Sequence, residues 1–200
     1  MIHPNTVVRS VSPEIGLGVF ATEPIPCGTI VVVRDGYDIC LSQEEYCCLS
    51  DSVRASMETY MYHDRCGNLV LSWDHARYMN HNCHSNTMMT AYNLEIAVRD
   101  IAAGEEMTTE YGLLNIQQPY EIFCGCENCR GRLRLDDIEV YGDEWDRLIH
   151  HGLASIPKVA QPLLSMITGA DRDRLDSFLA GNSDYASIKT LQWQACEGQL

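Results

Sequence analysis

Residues 77–86 read Arg-Tyr-Met-Asn-His-Asn-Cys-His-Ser-Asn, a polar stretch that contains the pair Asn80-His81. Segments rich in β-branched and apolar residues lie on both sides of it, which is typical of strands. The amide of a buried asparagine needs hydrogen-bond partners, so this residue indicates either a ligand contact or a structural brace. The stretch therefore predicts a polar site among short strands.

Strands are predicted at residues 6–11, 29–34, 69–73, 87–92, 94–99 and 106–111. In the segment 94–99, apolar residues alternate with Glu95 and Arg99, the pattern of a strand with one face in solvent. Ser42 and Glu45 form a capping-box pattern that predicts a helix over about 43–60. From Asp136 onward, apolar residues recur at helical spacing, up to residues 159–167. The second part of the chain is therefore predicted to be helical.

Two further segments have the residue types of a binding site. Glycines at Gly16 and Gly18 permit close approach of the backbone to a ligand, although the same pattern occurs in plain hairpin turns. Residues 104–112 lead through a strand to Tyr111. A buried tyrosine hydroxyl at a strand end needs a polar partner or a ligand.

The chain has ten cysteines, and four of them have the spacing or position of metal ligands. Cys124, Cys126 and Cys129 supply three thiols within one short loop, and Cys83 ends the Asn80-His81 segment. In a reducing compartment such a cluster is more typical of a metal site than of disulfides. The other six were expected to be free, buried thiols: Cys27, Cys40, Cys47, Cys48, Cys66 and Cys196.

Taken in order, these segments resemble the motifs of SET-domain protein-lysine methyltransferases with a post-SET zinc motif, over about residues 6–133. The resemblance implies a mainly β fold, the SET β-clip or pseudoknot arrangement of small sheets, with a helical C-terminal appendage. It also implies a SET domain at 1–112, a post-SET zinc-binding segment at 113–135 and a helical C-terminal region at 136–200.

The resemblance further implies residue roles. Tyr111 would be the catalytic residue, and one structural zinc ion would be held by Cys83, Cys124, Cys126 and Cys129. The S-adenosyl-L-methionine site would include Ile15, Gly16, Leu17, Gly18, Arg77, Asn80, His81, Tyr111 and Phe123. The lysine channel would be lined by Tyr60, Tyr62, Tyr78 and Thr109. Thr109 stands where the family often has Phe or Tyr, and Asn82 and Ser85 stand where serine and proline are usual, so the number of methyl groups added stays open.

The net charge of −14 and the presence of only two lysines argue against direct nucleic-acid binding, which requires phosphate neutralisation. An acidic surface suits a basic, lysine-containing partner, such as a histone tail or a non-histone protein. No membrane span or leader is evident, so a cytoplasmic location is expected, or a nuclear one in a eukaryote. A homodimer through the C-terminal helices and a catalytically inactive SET-like peptide-binding module are further hypotheses.

Overall fold

The computed structural model of the protein describes residues 1–193, and residues 194–200, which include Cys196, lie outside the described part. The predicted strands are present; the first extends by one residue to Ser12, and the others are shorter than predicted. The strands are β1 (Thr6–Ser12), β2 (Gly16–Ala21), β3 (Ile30–Val33), β4 (Ile39–Leu41), β5 (Tyr62–His63), β6 (Leu69–Leu71), β7 (Asn80–His81), β8 (Thr87–Met89), β9 (Leu94–Ala97), β10 (Glu106–Thr109), β11 (Tyr120–Glu121) and β12 (Arg132–Leu133). The mainly β fold of small sheets with a helical C-terminal region is confirmed.

One sheet has the order β1-β2-β10-β7 and brings distant segments together. β10 is antiparallel to β2 but parallel to β7. In the parallel pair, Thr108 is opposite Asn80 and Thr109 is opposite His81. This register places the Asn80-His81 pair beside the strand that ends at Tyr111.

A second sheet has the order β3-β9-β8, and its central strand corrects one prediction. Every residue of β9 is buried, including Glu95. The expectation of a solvent-facing Glu95 is wrong because its carboxyl lies beside Thr87 and Thr109 inside the fold, while helix α3 (Asp137–Leu153) packs against Ile96 of the same strand. The remaining sheets are the three strands β4-β6-β5 and the pair β11-β12.

The predicted helix over 43–60 is interrupted. Ser42 and Glu45 do form a capping box at the start of α1 (Gln43–Cys47). The chain then leaves the helix, because Ser50 has the extended backbone of an N-cap (ψ 153°) and starts α2 (Asp51–Met57). Serine favours caps over helix interiors, since its hydroxyl competes for backbone groups. A 3₁₀ turn, Glu58–Tyr60, follows.

The C-terminal helices belong to the main core of the molecule. Trp145, Ile149 and Leu153 of α3 are buried in one cluster with Ile96 of β9. Helix α4 (Gly169–Leu179) adds Leu175 to the same cluster. The prediction of helix over residues 159–167 is wrong, as the chain there forms only a 3₁₀ turn at Leu164–Met166 between Pro162 and α4.

The expectation of buried free thiols is also wrong for most of the cysteines outside the cluster. Cys40, Cys47, Cys48 and Cys66 are exposed, and Cys27 is half-buried. Cys40 lies on β4, Cys47 and Cys48 at the end of α1, and Cys66 in the turn between β5 and β6. Within residues 1–193, no helix has the length and apolar character needed to cross a membrane.

Candidate active site

Tyr111 lies immediately beyond β10, and its side chain is anchored to the neighbouring segment. Its hydroxyl donates a hydrogen bond of 2.9 Å to the carbonyl of Met79, the residue before β7. Burial, with smaller effects from Tyr120, Glu95 and Glu106, raises the pKa of the Tyr111 hydroxyl above its ordinary value. The group therefore stays protonated, and its oxygen is fixed in position with lone pairs available to a ligand.

Asn80 acts as a brace between three strands. Its amide nitrogen donates to the carbonyl of Leu17 at 3.0 Å and to Oε1 of Glu106 at 2.8 Å. Gly18 makes room for this arrangement, because a Cβ atom there would lie 3.0 Å from the Asn80 amide nitrogen and 2.5 Å from Glu106 Oε1. Both amide hydrogens are used inside the protein, which leaves the amide oxygen for other contacts.

His81 connects β7 to the backbone of Tyr111. Its Nδ1 atom accepts a hydrogen bond of 3.2 Å from the Tyr111 amide, and the two rings lie 5.4 Å apart. Burial, together with the positive charge of Arg130, lowers the pKa of His81 to about 4. The ring is therefore neutral near pH 7, and this neutrality is what allows Nδ1 to accept.

A cavity of about 620 Å³ reaches from the surface to the side chain of Tyr111. Three of the four residues predicted for the lysine channel line it, namely Tyr60, Tyr62 and Thr109. Tyr78 is absent from the lining; its ring packs edge-on against Tyr60 at 5.3 Å and against the smaller core cluster.

Arg77, which was predicted to contact the cofactor, also lines this cavity. Its guanidinium donates to the carbonyls of Trp73 and Asp74. These bonds fix the side chain at the cavity wall.

The predicted glycine-rich turn lies at the surface of the first sheet. Gly16 has a positive φ of 88°, and nothing lies within 4 Å of where its Cβ would be. The flanking side chains Ile15 and Leu17 are 50% and 43% exposed. Phe123 is 85% exposed, so it too lacks a packing partner among residues 1–193. These apolar surfaces are accessible to a ligand that can cover them.

The four predicted metal ligands come together. Their sulfur atoms all lie within 4.8 Å of one another. Sγ of Cys124 is 3.1 Å from that of Cys126, 3.5 Å from that of Cys129 and 3.7 Å from that of Cys83. A zinc–sulfur bond of about 2.3 Å in a tetrahedron gives sulfur separations of about 3.8 Å, so the set fits such an ion.

The thiol chemistry of the cluster agrees with this fit. Burial acts to raise the pKa of Cys124, but hydrogen bonds from Cys83, Cys126 and Cys129 outweigh it and lower that pKa to about 6. A thiolate is the form that coordinates a metal, so at least one ligand is ready at neutral pH.

Sequence reasoning missed the group that ties the cysteine loop to Tyr111. Arg130 follows the last cysteine, and its guanidinium lies 2.6 Å from Glu110 and 3.6 Å from Asp137 at the start of α3. It also lies over the ring of Tyr141, 4.9 Å from the centroid. Burial raises the pKa of Glu110 to about 7, against the effect of Arg130. No motif marks this ion pair, because charged residues in sequence are usually exposed.

The small sheets thus place Tyr111 beside the parallel strand that holds Asn80 and His81. The thiol cluster adjoins this strand through Cys83. Residues 16–112 match the family model described as the SET domain. This match confirms the predicted resemblance to the SET domain.

Related proteins are similar over the same region. The chain is 31% identical over 96 residues to histone-lysine N-methyltransferase ASHH3 of Arabidopsis thaliana, which is 43% of this chain and 26% of that protein. It is 29% identical over 96 residues to histone-lysine N-methyltransferase ASHR3 of Arabidopsis thaliana, which is 42% of this chain and 19% of that protein. The chain thus spans about a quarter or less of these two relatives.

A solved structure is also similar. The methyltransferase domain of human histone-lysine N-methyltransferase SETMAR aligns with a TM-score of 0.45 at 17% identity, covering 67% of this chain and 58% of that one.

Proposed function

We propose that this protein transfers a methyl group from S-adenosyl-L-methionine to a lysine side chain of a protein substrate. The observation that carries the proposal is the Tyr111 hydroxyl, held by the Met79 carbonyl at the end of the cavity. A direct displacement needs its reactants aligned, and a fixed hydroxyl in a buried site provides such alignment without a covalent intermediate.

The cofactor site is proposed at the glycine-rich turn, the Asn80-His81 pair and Phe123. When bound, S-adenosyl-L-methionine supplies an electrophilic methyl group on a positively charged sulfur. The fit rests on the exposed apolar side chains at Ile15, Leu17 and Phe123, which an adenosine moiety would cover, and on the open space above Gly16. Backbone carbonyls and the Tyr111 oxygen are able to accept weak C–H···O contacts from a polarised methyl group.

The cavity is proposed as the lysine channel. Tyr60 and Tyr62 supply aromatic walls for the aliphatic part of a lysine. The amine must be neutral to attack, yet its free pKa is about 10.4. Removal of water from the channel and a nearby positive sulfur would both lower that pKa.

The thiol cluster is proposed to bind one structural zinc ion. This ion would join Cys83, at the end of the Asn80-His81 segment, to the loop with the other three ligands. Because the ligands come from two distant segments, metal binding would be coupled to ordering of the loop.

A basic protein is proposed as the partner, since the net charge of −14 attracts positively charged segments. The named relatives are histone-lysine methyltransferases, so histones are the first substrate to test. Homodimerisation through the C-terminal helices stays a proposal. A cytoplasmic or nuclear location also stays a proposal.

The proposal is tested in two steps. Calorimetry with S-adenosyl-L-methionine and its demethylated product should give micromolar binding. Incubation with methyl-labelled cofactor and either purified core histones or a cell lysate should then label lysine residues. Cofactor binding without labelling of any protein, or no binding at all, would favour an inactive peptide-binding module instead.

A further inference from the structure

One acidic side chain in the cavity is buried without a positive partner. Glu95 on β9 is 9% exposed and lines the same cavity as Tyr111. The ion pairs formed within residues 1–193 do not include it. Within the same residues, Glu95 accepts a hydrogen bond of 3.1 Å from the Thr87 hydroxyl. A buried carboxylate in this situation is costly to ionise.

The surroundings of Glu95 leave polar capacity unused. Burial raises the pKa of the Glu95 carboxyl, and the hydroxyls of Thr109 and Thr87 oppose that shift. The Thr109 hydroxyl is buried near the Glu95 carboxyl, and within residues 1–193 it makes no hydrogen bond of full geometry. The Glu95 carboxyl on β9 and the Thr109 hydroxyl on β10 therefore line the same cavity with bonding capacity to spare.

Glu95 also lies within electrostatic reach of the residues that bound the channel. Burial raises the pKa of Tyr62, and the negative charge of Glu95 contributes to that rise. The same charge contributes at Tyr111, where burial is again the main cause. Glu95, Tyr62 and Tyr111 line one cavity, so a side chain that enters it passes between them.

We propose that Glu95 binds the ε-ammonium group of the substrate lysine and so holds it in the cavity beside Tyr111, before the amine loses the proton that it must shed for methyl transfer. The inference rests on the proposed function, which assigns the cavity to lysine. A cation at this point gives the carboxylate the partner it lacks inside the protein, and a charge-assisted hydrogen bond is about twice as strong as a neutral one. Each methyl group added to the ε-ammonium group removes one N–H donor, so Glu95 favours the less methylated forms of lysine.

The competing interpretation is structural: Glu95 holds β8 to β9 through Thr87 and does nothing else. The two interpretations differ in a property that needs neither cofactor nor an identified substrate. If Glu95 binds the ammonium group, the cavity of the free protein prefers a small alkylammonium ion over a neutral alcohol of the same shape. If Glu95 is structural only, any preference for the cation comes from other acidic residues of the cavity, such as Asp38 and Glu58, and Glu95→Gln leaves it unchanged.

The probes are n-butylammonium, 1-butanol and n-butyltrimethylammonium, titrated into the full chain with ¹³C-labelled methionine methyl groups. Met79 and Met89 line the cavity and report on occupancy. At mildly alkaline pH, we expect n-butylammonium to bind at least about tenfold more tightly than 1-butanol. The trimethylated ion should lose most of this advantage, because it keeps the charge but has no N–H donors.

The decisive variant is Glu95→Gln, which keeps size and can still accept from Thr87 but lacks the charge. It should bind n-butylammonium and 1-butanol equally, whereas Glu144→Gln, on the exposed face of α3, should keep the wild-type preference. If Glu95→Gln alters the methionine spectrum of the free protein, Glu95→Asp replaces it and should show an intermediate preference. Equal affinities in the wild type, or an undiminished preference in Glu95→Gln, overturn the proposal.

This result is independent of methyl transfer. A protein that shows the ammonium preference but labels no substrate overturns the proposed function alone, and an active enzyme without the preference overturns the role of Glu95 alone. Once a protein substrate has been identified, Glu95→Gln should raise the KM for that substrate about tenfold while changing kcat less, because the variant loses a contact made in the bound ground state.

Discussion

The guanidinium of Arg130 and the carboxylate of Glu110 form a buried ion pair of 2.6 Å that joins the cysteine loop to the residue before Tyr111. Their side chains are 10% and 0% exposed. Removal of one partner leaves a buried charge without compensation, so Arg130→Met should lower the free energy of unfolding by about 3–5 kcal/mol. Urea unfolding, monitored by tryptophan fluorescence, measures this.

The matched control for that prediction is Arg132→Met, because Arg132 is exposed two residues farther along. It should change stability by less than about 0.5 kcal/mol. The double variant Arg130→Met/Glu110→Gln should be more stable than the sum of its single changes implies. Simple additivity would contradict a direct pairing of the two charges.

Tyr111→Phe keeps the ring but removes the hydroxyl that donates to Met79. Methyl transfer should fall by about a hundredfold or more, since a preorganised polar group beside the reacting atoms is lost. Stability should change by only about 1 kcal/mol. Turnover with labelled cofactor measures the first effect, and Tyr37→Phe, at a 71% exposed tyrosine, is the control. Comparable turnover in both variants would remove Tyr111 from catalysis.

Gly18→Ala should destabilise the first sheet. The added Cβ would lie 2.5 Å from Glu106 Oε1 and 2.6 Å from Val11 Cγ2, which displaces the brace formed by Asn80. Overpacking of this kind costs about 1–3 kcal/mol. Gly36→Ala is the matched control, because no atom lies within 4 Å of the new Cβ and its φ is not positive. Equal unfolding midpoints for the two variants would show that Gly18 is not needed for packing.

Cys83→Ser should reduce the bound zinc from one ion per chain to well below that in metal analysis of protein purified without chelators. A thiolate ligand is lost, and three sulfurs of one loop hold zinc less well than four. Cys66→Ser, at an exposed cysteine outside the cluster, should keep the full content. Full zinc in Cys83→Ser would exclude Cys83 as a ligand.

Much of the candidate site is readable from sequence because its residues stand in short motifs that follow one another in a characteristic order. The capping box at Ser42 forms as predicted, and the four thiols that the resemblance grouped come within 4.8 Å of one another. Tyr60, Tyr62 and Thr109 lie at one cavity with Tyr111. In each case either the residue spacing or an ordered set of motifs carried the information.

Other parts could not be read from sequence because they depend on what packs above a segment. The alternating pattern of β9 predicts that Glu95 faces solvent. In the structure, α3 packs against β9, and Glu95 lines the internal cavity. The same limit applies to Arg130, whose partners lie 20 residues before it and 7 residues after it. The converse holds for four cysteines that were predicted to be buried and are exposed in the structure, namely Cys40, Cys47, Cys48 and Cys66.

The parallel pairing of β7 with β10 has a consequence for how the protein is made. Met79 must meet Tyr111 across 32 residues, and Cys83 must meet Arg130 across 47. Contacts at such separations form slowly, because the loop entropy is lost before the contacts stabilise the chain. Until Arg130 has left the ribosome, Glu110 has no guanidinium to pair with. The nascent chain therefore carries Tyr111 well before it carries the residues that complete its pocket, among them Leu191.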